Sequence, residues 1–353
     1  MARTFIRPTG FVDSPFGHDG KVARLAGGLN WFASVELIHE DGRRELVPVH
    51  GIEARFDKTM AADWARITSP RSPLQMGERT IRLDQPQVMG IINATPDSFS
   101  DGGAYADSAA AAEAGAVMAS QGAAIIDVGG ESTRPGATTV WEGDEIERML
   151  PVVQQLAAGG TAVSIDTRKA GVMSAALGAG AGMINDVSAL TWDPQSAEVV
   201  AKSRVPVVLM HCRGDPATMQ DAPRYDDVLV EVFEWLEDRI AAAEAAGIAR
   251  EHILVDPGIG FGKTVAHNLE LMNGLALLHG LGCPIVAGAS RKRMIGALAG
   301  EAPADERLPG SLALALKAVE QGAQIVRVHD VPETVQALKV WRGLRDAALT
   351  PRA

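Results

Sequence analysis

The sequence has few cysteines and no excess of basic side chains, and both shortages narrow its possible functions. Cys212 and Cys283, the two cysteines among 353 residues, fall on different predicted strands, so they form no disulfide framework and a cytoplasmic location is expected. The net charge of −11 argues against nucleic acid as a partner, because phosphate neutralisation dominates that affinity. We also expect no secretory signal and no membrane contact, because no apolar run approaches the ~18 residues of a membrane span.

Several familiar catalytic patterns are missing from the sequence as well. Clusters of His and Cys at metal-ligand spacing are absent, so no zinc site is predicted, and no Ser/His/Asp pattern stands out. The stretch 258–264 resembles a phosphate-binding P-loop, but Pro257 stands where that motif requires glycine. Cys212 beside His211 could be a nucleophile, although a buried filler at a strand end is the favoured interpretation, because no partner pattern accompanies it.

Two polar loops carry most of the information that is present. Residues 90–103 and 127–136 each run from an apolar strand into a stretch rich in Gly, Ser and acidic side chains. Such loops combine charge, small side chains and backbone that can approach a ligand closely. They therefore predict the rim of an active site.

The same pattern recurs along the chain and predicts the fold. Eight apolar runs of strand length alternate with Ala-rich segments of helical spacing, which is typical of a parallel sheet covered by helices. Eight such units over roughly 265 residues fit a (β/α)8 TIM barrel, an α/β fold. A doubly wound open sheet is the alternative. The predicted strands are 88–93, 124–127, 162–166, 183–185, 205–211, 253–256, 284–290 and 325–329.

A polar residue ends each predicted strand. In a barrel the carboxyl ends of all strands open on one face, so these eight residues would form a ring. Burying so many carboxylates and amides together is costly unless they meet a polar ligand, so we interpret the ring as a binding site. Asp127 and His211 are the members that most easily have a structural role instead. The ring comprises Asn93, Asp127, Asp166, Asn185, His211, Asp256, Ser290 and His329.

Residues 1–78 do not follow the barrel period and are predicted to be an N-terminal extension of a barrel at 79–353. Trp31–His39 and Glu45–Val49 alternate apolar and polar side chains around an Asp-Gly turn, which predicts a β-hairpin. A short helix is predicted at Asp57–Ile67. We interpret the extension as structural decoration or an oligomer contact, with a regulatory or partner-binding role as the alternative.

Basic side chains gather after the last two predicted strands. Phosphate sites in barrels often lie at this position, so the group suggests a focused anion pocket in an acidic protein. Arg293 is the member that best fits a solvated turn. The group comprises Arg291, Lys292, Arg293, Arg327 and His329.

These motifs together resemble the dihydropteroate synthase family, from Arg79 to the C-terminal helix. The extension before Arg79 is not part of the usual family core. Two departures are visible: Ala94 stands where Val is common, and Arg293 stands where some relatives carry Ser, which leaves the contact to the aminobenzoate carboxylate open. The motifs that carry the resemblance are 93–103, 127–136, 164–167, 184–187, 210–214 with 219–220, 256–263, 290–292 and 327–329.

The resemblance implies a barrel enzyme that joins 4-aminobenzoate to (7,8-dihydropterin-6-yl)methyl diphosphate and releases diphosphate. It further implies Mg²⁺ as cofactor, a homodimer, small-molecule substrates as partners and a target for sulfonamides. The implied pterin contacts are Asp166, Asn185, Asp256 and Lys292. The implied diphosphate contacts are Asn93, Arg134, Arg327 and His329, with Mg²⁺ held near Asn93. The implied aminobenzoate contacts are Phe99, Thr133, Arg134, Pro135 and Ser290. The implied catalytic residues are Asp101, which would lie near the methylene carbon, Asn93 and Lys292.

Two other functions remain as alternatives. A methyltetrahydrofolate methyltransferase could use the same pterin-binding barrel, but its chemistry has no diphosphate and gives no reason for a cluster of Arg134, Arg327 and His329. A catalytically inactive pterin-binding scaffold is the second alternative, and the intact motif loops argue against it.

Overall fold

The computed structural model describes residues 3–94, 104–131, 139–214, 219 and 222–350, with the backbone alone for 104–107. Its first part is a four-stranded antiparallel sheet followed by a helix. The predicted hairpin is confirmed, and a further strand lies on its other side, giving the sheet order β1-β3-β2 with β4 paired to β3. The elements are β1 (Thr4–Val12), β2 (Ala23–Arg24), β3 (Trp31–His39), β4 (Arg44–Pro48) and α1 (Lys58–Thr68).

The first strand was not predicted, because Pro8 and Gly10 interrupt its apolar pattern. Pro8 is tolerated because β1 lies at the edge of the sheet, where one side of the strand carries no ladder. The predicted helix is confirmed: the carboxylate of Asp57 accepts the Met60 amide at 2.8 Å and caps the first turn of α1.

Eight parallel strands close into a barrel, which confirms the predicted fold and excludes the open sheet. The paired strands run in the order β12-β11-β10-β9-β8-β7-β14-β13, and a parallel bridge from Val255 to Ile285 joins the two ends. A short hairpin precedes the barrel, β5 (Leu74–Met76) and β6 (Arg79–Ile81). The barrel strands are β7 (Gln87–Asn93), β8 (Ile125–Gly129), β9 (Val163–Asp166), β10 (Met183–Asp186), β11 (Val207–Met210), β12 (Ile253–Asp256), β13 (Val286–Ala287) and β14 (Ile325–Val328).

Helices surround the barrel and cover its strands. None of the helices in the part of the chain described is long and apolar enough to cross a membrane. A 3₁₀ segment at Leu275–Leu281 extends the sixth barrel helix, and all seven of its residues are buried. The helices are α2 (Ala104–Ser120), α3 (Glu142–Ala158), α4 (Ala170–Gly178), α5 (Ser196–Ser203), α6 (Val228–Ala245), α7 (Val265–Gly274), α8 (Arg293–Leu298), α9 (Leu308–Glu320) and α10 (Val331–Leu349).

The hairpin β5–β6 closes the lower end of the barrel. Its apolar side chains, with Leu83, pack against one apolar residue from the start of each strand. The two strands of this hairpin lie on either side of position 78, where the extension was predicted to end. The extension therefore has an outer part, formed by the four-stranded sheet and α1, and a part under the barrel, formed by β5–β6. The cluster comprises Leu74, Met76, Ile81, Leu83, Met89, Ile125, Ala162, Met183, Val208, Leu254, Val286 and Ile325.

The outer part of the extension packs on the side of the barrel. The ring of Phe5 meets Phe233 of α6 edge-on, with centroids 5.4 Å apart. The side chain of Asn30 donates to the carbonyl of Val319 at 2.7 Å, which joins the sheet to α9. Strand β1 and helix α1 pack against the 3₁₀ segment Leu275–Leu281, which is fully buried.

Candidate active site

A network of charged and polar side chains fills the upper end of the barrel. Arg327 of β14 donates to Asp127 at 2.6 Å and to Asp166 at 2.8 Å. The side-chain amide of Asn185 donates to the same oxygen of Asp127 at 3.0 Å. Four members of four different strands therefore meet, as parallel strands that end on one face require.

The side chains of the predicted ring lie at two depths in the barrel, which corrects the predicted end of the second barrel strand. Strand β8 does not end at Asp127 but continues to Gly129, because Val128-Gly129 keeps pairing with Ile165-Asp166. Asp127 is consequently fully buried, one pleat repeat below Asp166. Gly129 opens the space above it, since a Cβ there would lie 3.4 Å from the Cβ of Asp166.

Burial dominates the electrostatics of Asp166. Desolvation raises the pKa of its carboxyl group to about 7, Arg327 opposes this rise, and Asp127 adds to it. Oδ1 of Asp166, Oδ1 of Asp127 and Oγ of Ser164 are buried and have no hydrogen-bond partner in the described part of the chain. Three neighbouring oxygens therefore offer acceptor capacity for a ligand with several N–H donors.

Asp256 ends β12 and is held by the loop that follows it. Its Oδ1 accepts the Gly258 amide at 2.7 Å. Burial raises the pKa of the Asp256 carboxyl group, and the Gly258 amide and the Lys292 charge oppose the rise. Gly258 has φ +65°, and an added Cβ would lie 1.8 Å from the carbonyl oxygen of His211, so glycine is required at this turn.

Lys263 is a buried site residue to which the sequence assigned no role. Its ammonium group contacts His211 Nδ1 at 2.8 Å and donates to the carbonyls of Gly258 at 3.0 Å and Phe261 at 2.9 Å. Burial lowers the pKa of Lys263 to about 7. The signal that could have found it is a lone lysine closing a Gly-rich loop whose carbonyl groups need a donor.

Burial also lowers the pKa of His211 to about 2, with the Lys263 charge adding to this effect. Its ring packs edge-on against Trp235 with centroids 4.9 Å apart. His211 therefore lies between the barrel and α6 and supports the loop after β12. This position fits the structural role that the sequence allowed for it.

Lys292 and the residues around it follow the seventh strand. The Lys292 ammonium lies 4.2 Å from the ring centroid of Phe261, so a cation and an aromatic face are combined. Gly260 permits this approach, because a Cβ there would lie 3.2 Å from Cδ of Lys292.

Ser290 and His329 form a pair beside Arg327. Ser290 Oγ lies 3.0 Å from Nδ1 of His329 and accepts the His329 amide at 3.2 Å. Burial lowers the pKa of His329 to about 4, and the charge of Arg327 acts in the same direction. The imidazole is therefore neutral at physiological pH and can donate or accept hydrogen bonds without adding charge.

The remaining basic residues of the predicted anion pocket lie differently. Arg291, with φ +56°, pairs with Asp330 through a 3.0 Å hydrogen bond from Nε. Arg293 is exposed and starts α8. The structure therefore separates this group into Lys292, Arg327 and His329 on the inner side and two outward arginines.

Asn93 ends β7 and is exposed, level with Gly129 across the ladder. The neighbouring Ala94 amide donates to the Gly129 carbonyl at 2.8 Å. Five predicted site residues lie outside the described residues. They are Phe99, Asp101, Thr133, Arg134 and Pro135.

Three comparisons with known proteins agree with each other. A family model for pterin-binding enzymes matches residues 89–329. The dihydropteroate synthase of Escherichia coli K12 is 48% identical over 262 residues, which are 74% of this chain and 92% of that relative. The solved Xanthomonas albilineans dihydropteroate synthase with 4-aminobenzoic acid has a TM-score of 0.74 at 50% identity, covering 78% of this chain and 98% of that chain. The same enzyme solved with 7,8-dihydropteroate gives 0.71 at 47% identity, covering 77% and 98%.

Proposed function

We propose roles for the residues of this site from the reaction that the chain catalyses. The chain belongs to the pterin-binding enzymes and, within them, catalyses the dihydropteroate synthase reaction. It condenses (7,8-dihydropterin-6-yl)methyl diphosphate with 4-aminobenzoate to 7,8-dihydropteroate and diphosphate, a step of folate biosynthesis.

Asp166, Asn185, Asp256 and Lys292 hold the pterin in this proposal. The observation that carries it is that buried oxygens of Asp166, Asp127 and Ser164 have no hydrogen-bond partner among the described residues, because the amino-amide edge of a pterin offers several donors to such acceptors. Asp256 adds a second carboxylate whose Oδ1 is already occupied by the Gly258 amide. Lys292 supplies a cation next to the Phe261 ring, where a flat heterocycle could lie.

Asn93, Arg134, Arg327 and His329 hold the diphosphate in this proposal, and Asn93 would hold Mg²⁺. Mg²⁺ commonly combines one or two protein oxygens with substrate phosphates, and an exposed asparagine at a strand end offers one such oxygen. Among the described residues no group of three His, Cys, Asp or Glu side chains could hold a metal alone, which fits an ion shared with the substrate. When bound, Mg²⁺ would neutralise charge on the leaving diphosphate.

Arg327 prepares the site for the departure of diphosphate. It is fixed between two carboxylates, and its pKa is raised by Asp127 and Asp166 against the effect of burial, so it stays charged. A fixed cation stabilises charge that builds on the leaving oxygens without reorganising. The neutral His329 adds a hydrogen bond beside it.

The contacts to 4-aminobenzoate and the role of Asp101 are assigned from the resemblance to the dihydropteroate synthase family. Phe99, Thr133, Arg134, Pro135 and Ser290 surround 4-aminobenzoate in this proposal, and Asp101 lies near the methylene carbon, which becomes cationic when diphosphate leaves. A carboxylate there stabilises that charge, and the neutral aromatic amine then attacks. Asn93, Asp101 and Lys292 are accordingly the proposed catalytic residues.

We also propose a cytoplasmic homodimer. Val340 and Leu344 are 62% and 68% exposed one turn apart on α10, an apolar strip that a second copy could cover. Both cysteines are free, as expected in a reducing compartment. Light scattering of the purified chain and of Leu344→Glu tests the dimer: a monomeric wild type would refute it.

The assignment as a whole is tested by one assay. Diphosphate release from (7,8-dihydropterin-6-yl)methyl diphosphate should require 4-aminobenzoate and Mg²⁺ together. Release without 4-aminobenzoate would identify a hydrolase, and release without Mg²⁺ would remove the metal from the proposal.

A further inference from the structure

A buried cluster of four charged side chains joins residues that follow β8 and β9 to helix α3. Glu131, two residues after the end of β8, lies 3.2 Å from the ammonium of Lys169 and accepts the Arg168 side chain at 3.3 Å. Lys169 also pairs with Glu145 of α3, which accepts the hydroxyl of Thr167 at 2.7 Å. The side chains of these ions are between 0% and 10% exposed.

This cluster is not explained by stability. Two acids and two bases balance in charge, but desolvating an ion pair usually cancels its Coulombic gain, so apolar side chains of similar size would serve a core at least as well. A fully bonded buried ion pair fixes geometry more narrowly than apolar packing does. The position of the charged cluster therefore indicates which part of the chain it holds in place.

The cluster joins both ends of one loop. The carboxylate of Glu131, at the first end, also accepts the backbone amide of Val140, at the second end, at 2.9 Å. Arg168 reaches the hydroxyl of Thr139 at 3.4 Å and lies 4.7 Å from the ring centroid of Trp192. One carboxylate thus sets the span between residues 131 and 140.

The cluster also connects this span to the pterin side of the site. Arg168 and Lys169 follow Asp166 and Thr167 directly in the chain. Thr133, Arg134 and Pro135, the proposed aminobenzoate contacts, lie in sequence between Glu131 and Val140. One charged cluster therefore fixes Glu131 and Val140 relative to the residues that follow β9.

We propose that Glu131, held by Arg168 and Lys169, is a positioning residue for 4-aminobenzoate. It acts on the ends of the loop at 132–138 and touches neither substrate. This inference rests on the proposed aminobenzoate contacts. Removing its charge should therefore weaken the use of 4-aminobenzoate more than the use of pterin diphosphate, because three proposed aminobenzoate contacts but only one proposed diphosphate contact, Arg134, lie at 132–138.

The test is Glu131→Gln, which keeps the size of the side chain and an acceptor for the Val140 amide. The KM for 4-aminobenzoate should rise about tenfold, because a small displacement of contact groups costs this much or more, while the KM for pterin diphosphate stays within about twofold. Glu237→Gln is the matched control, since Glu237 pairs with Arg3 in the extension. It should lower the melting temperature and leave both KM values unchanged.

Equal changes in both KM values, or none beyond the control, would overturn the proposal. If Glu131→Gln does not fold, Thr139→Val decides instead: a selective rise in the KM for 4-aminobenzoate supports the proposal, and an unchanged KM overturns it. The proposed function is tested separately, on the wild-type enzyme alone, and release of diphosphate without 4-aminobenzoate would refute it. The positioning role is tested by comparing each variant with wild type.

Discussion

The lower and upper ends of the barrel differ by one step of two residues along four of its strands. Ile125, Met183, Leu254 and Ile325 belong to the apolar lower layer. Two residues later on the same face stand Asp127, Asn185, Asp256 and Arg327. Two residues of a strand span about 6.6 Å, so the interior changes from apolar to charged within this distance.

The two layers use their side chains in opposite ways. The lower layer is sealed by β5–β6 and gains stability from apolar burial. In the upper layer burial raises the pKa of Asp166 and Asp256, and some buried oxygens have no partner in the part of the chain that the structure describes, which costs stability. The stable lower layer therefore supports a strained upper layer in which binding groups are fixed before a ligand arrives.

Arg327→Met should have the largest effect, because it leaves Asp127 and Asp166 without their cation and removes the proposed diphosphate contact. We expect kcat/KM to fall about 10³-fold, roughly 4 kcal/mol. Arg342→Met, which removes an ion pair with Asp346 on α10, is the control and should behave as wild type. Steady-state kinetics with a circular dichroism check would measure this, and a loss below tenfold would show that the upper layer does not depend on its central cation.

Asp256→Asn should come next, with kcat/KM reduced at least ~10²-fold, roughly 3 kcal/mol. The amide oxygen can still accept the Gly258 amide, but its NH₂ group would face donors of the pterin. Asp346→Asn, in an exposed pair with Arg342, serves as control. Near-wild-type kinetics of Asp256→Asn would remove this residue from the pterin site.

The pH dependence of activity should distinguish the two layers. Protonation of a carboxyl group in the upper layer should lower kcat/KM by up to about tenfold per pH unit. Because the pKa of Asp166 is raised to about 7, its carboxyl group becomes protonated below pH 7 and loses acceptor capacity, so kcat/KM for pterin diphosphate should fall there. The stability contribution has the opposite direction: it is fully present below the unfolded pKa near 4 and is lost as the pH rises through 7. Asp166→Asn should flatten both profiles, and an unchanged activity profile in that variant would contradict the assignment.

Ile125→Val tests the lower layer and should have the smallest effect. Removing one buried methylene group should cost about 1 kcal/mol in the free energy of unfolding, with kcat/KM unchanged. Denaturant titration and kinetics on the same preparation measure both quantities. A kinetic loss without a stability loss would mean that the layers are not separate in function.

Much of the barrel could be predicted because burial on both faces gives each strand a continuous apolar run. The run 253–256 coincides with β12, and the polar residues after these runs do converge. Strand β1 could not be predicted, because its pattern is broken by Pro8 and Gly10 and its pairing with β3 is a tertiary property.

The site was predicted less completely for a physical reason. Glu131 and Lys263 lie within motifs and Lys169 lies beside one, but all three look in sequence like solvated charges. Their burial depends on partners far away in the chain. A charge becomes informative only when its environment is known. The depth of Asp127 in the barrel could not be predicted either. Strand β8 continues through Val128 and Gly129, and their pairing with β9 becomes visible only in the sheet register.

The hairpin β5–β6 has a consequence for the order of folding. It precedes every strand of the barrel in the chain, yet its apolar side chains pack against residues from Met89 to Ile325. Its burial must therefore wait until the last strand has joined the first, and such long-range closure is slow. In refolding followed by hydrogen exchange, the hairpin amides that pair Gln75 with Thr80 should gain protection together with β14, so the earliest segment of the barrel to leave the ribosome is among the last to become fixed.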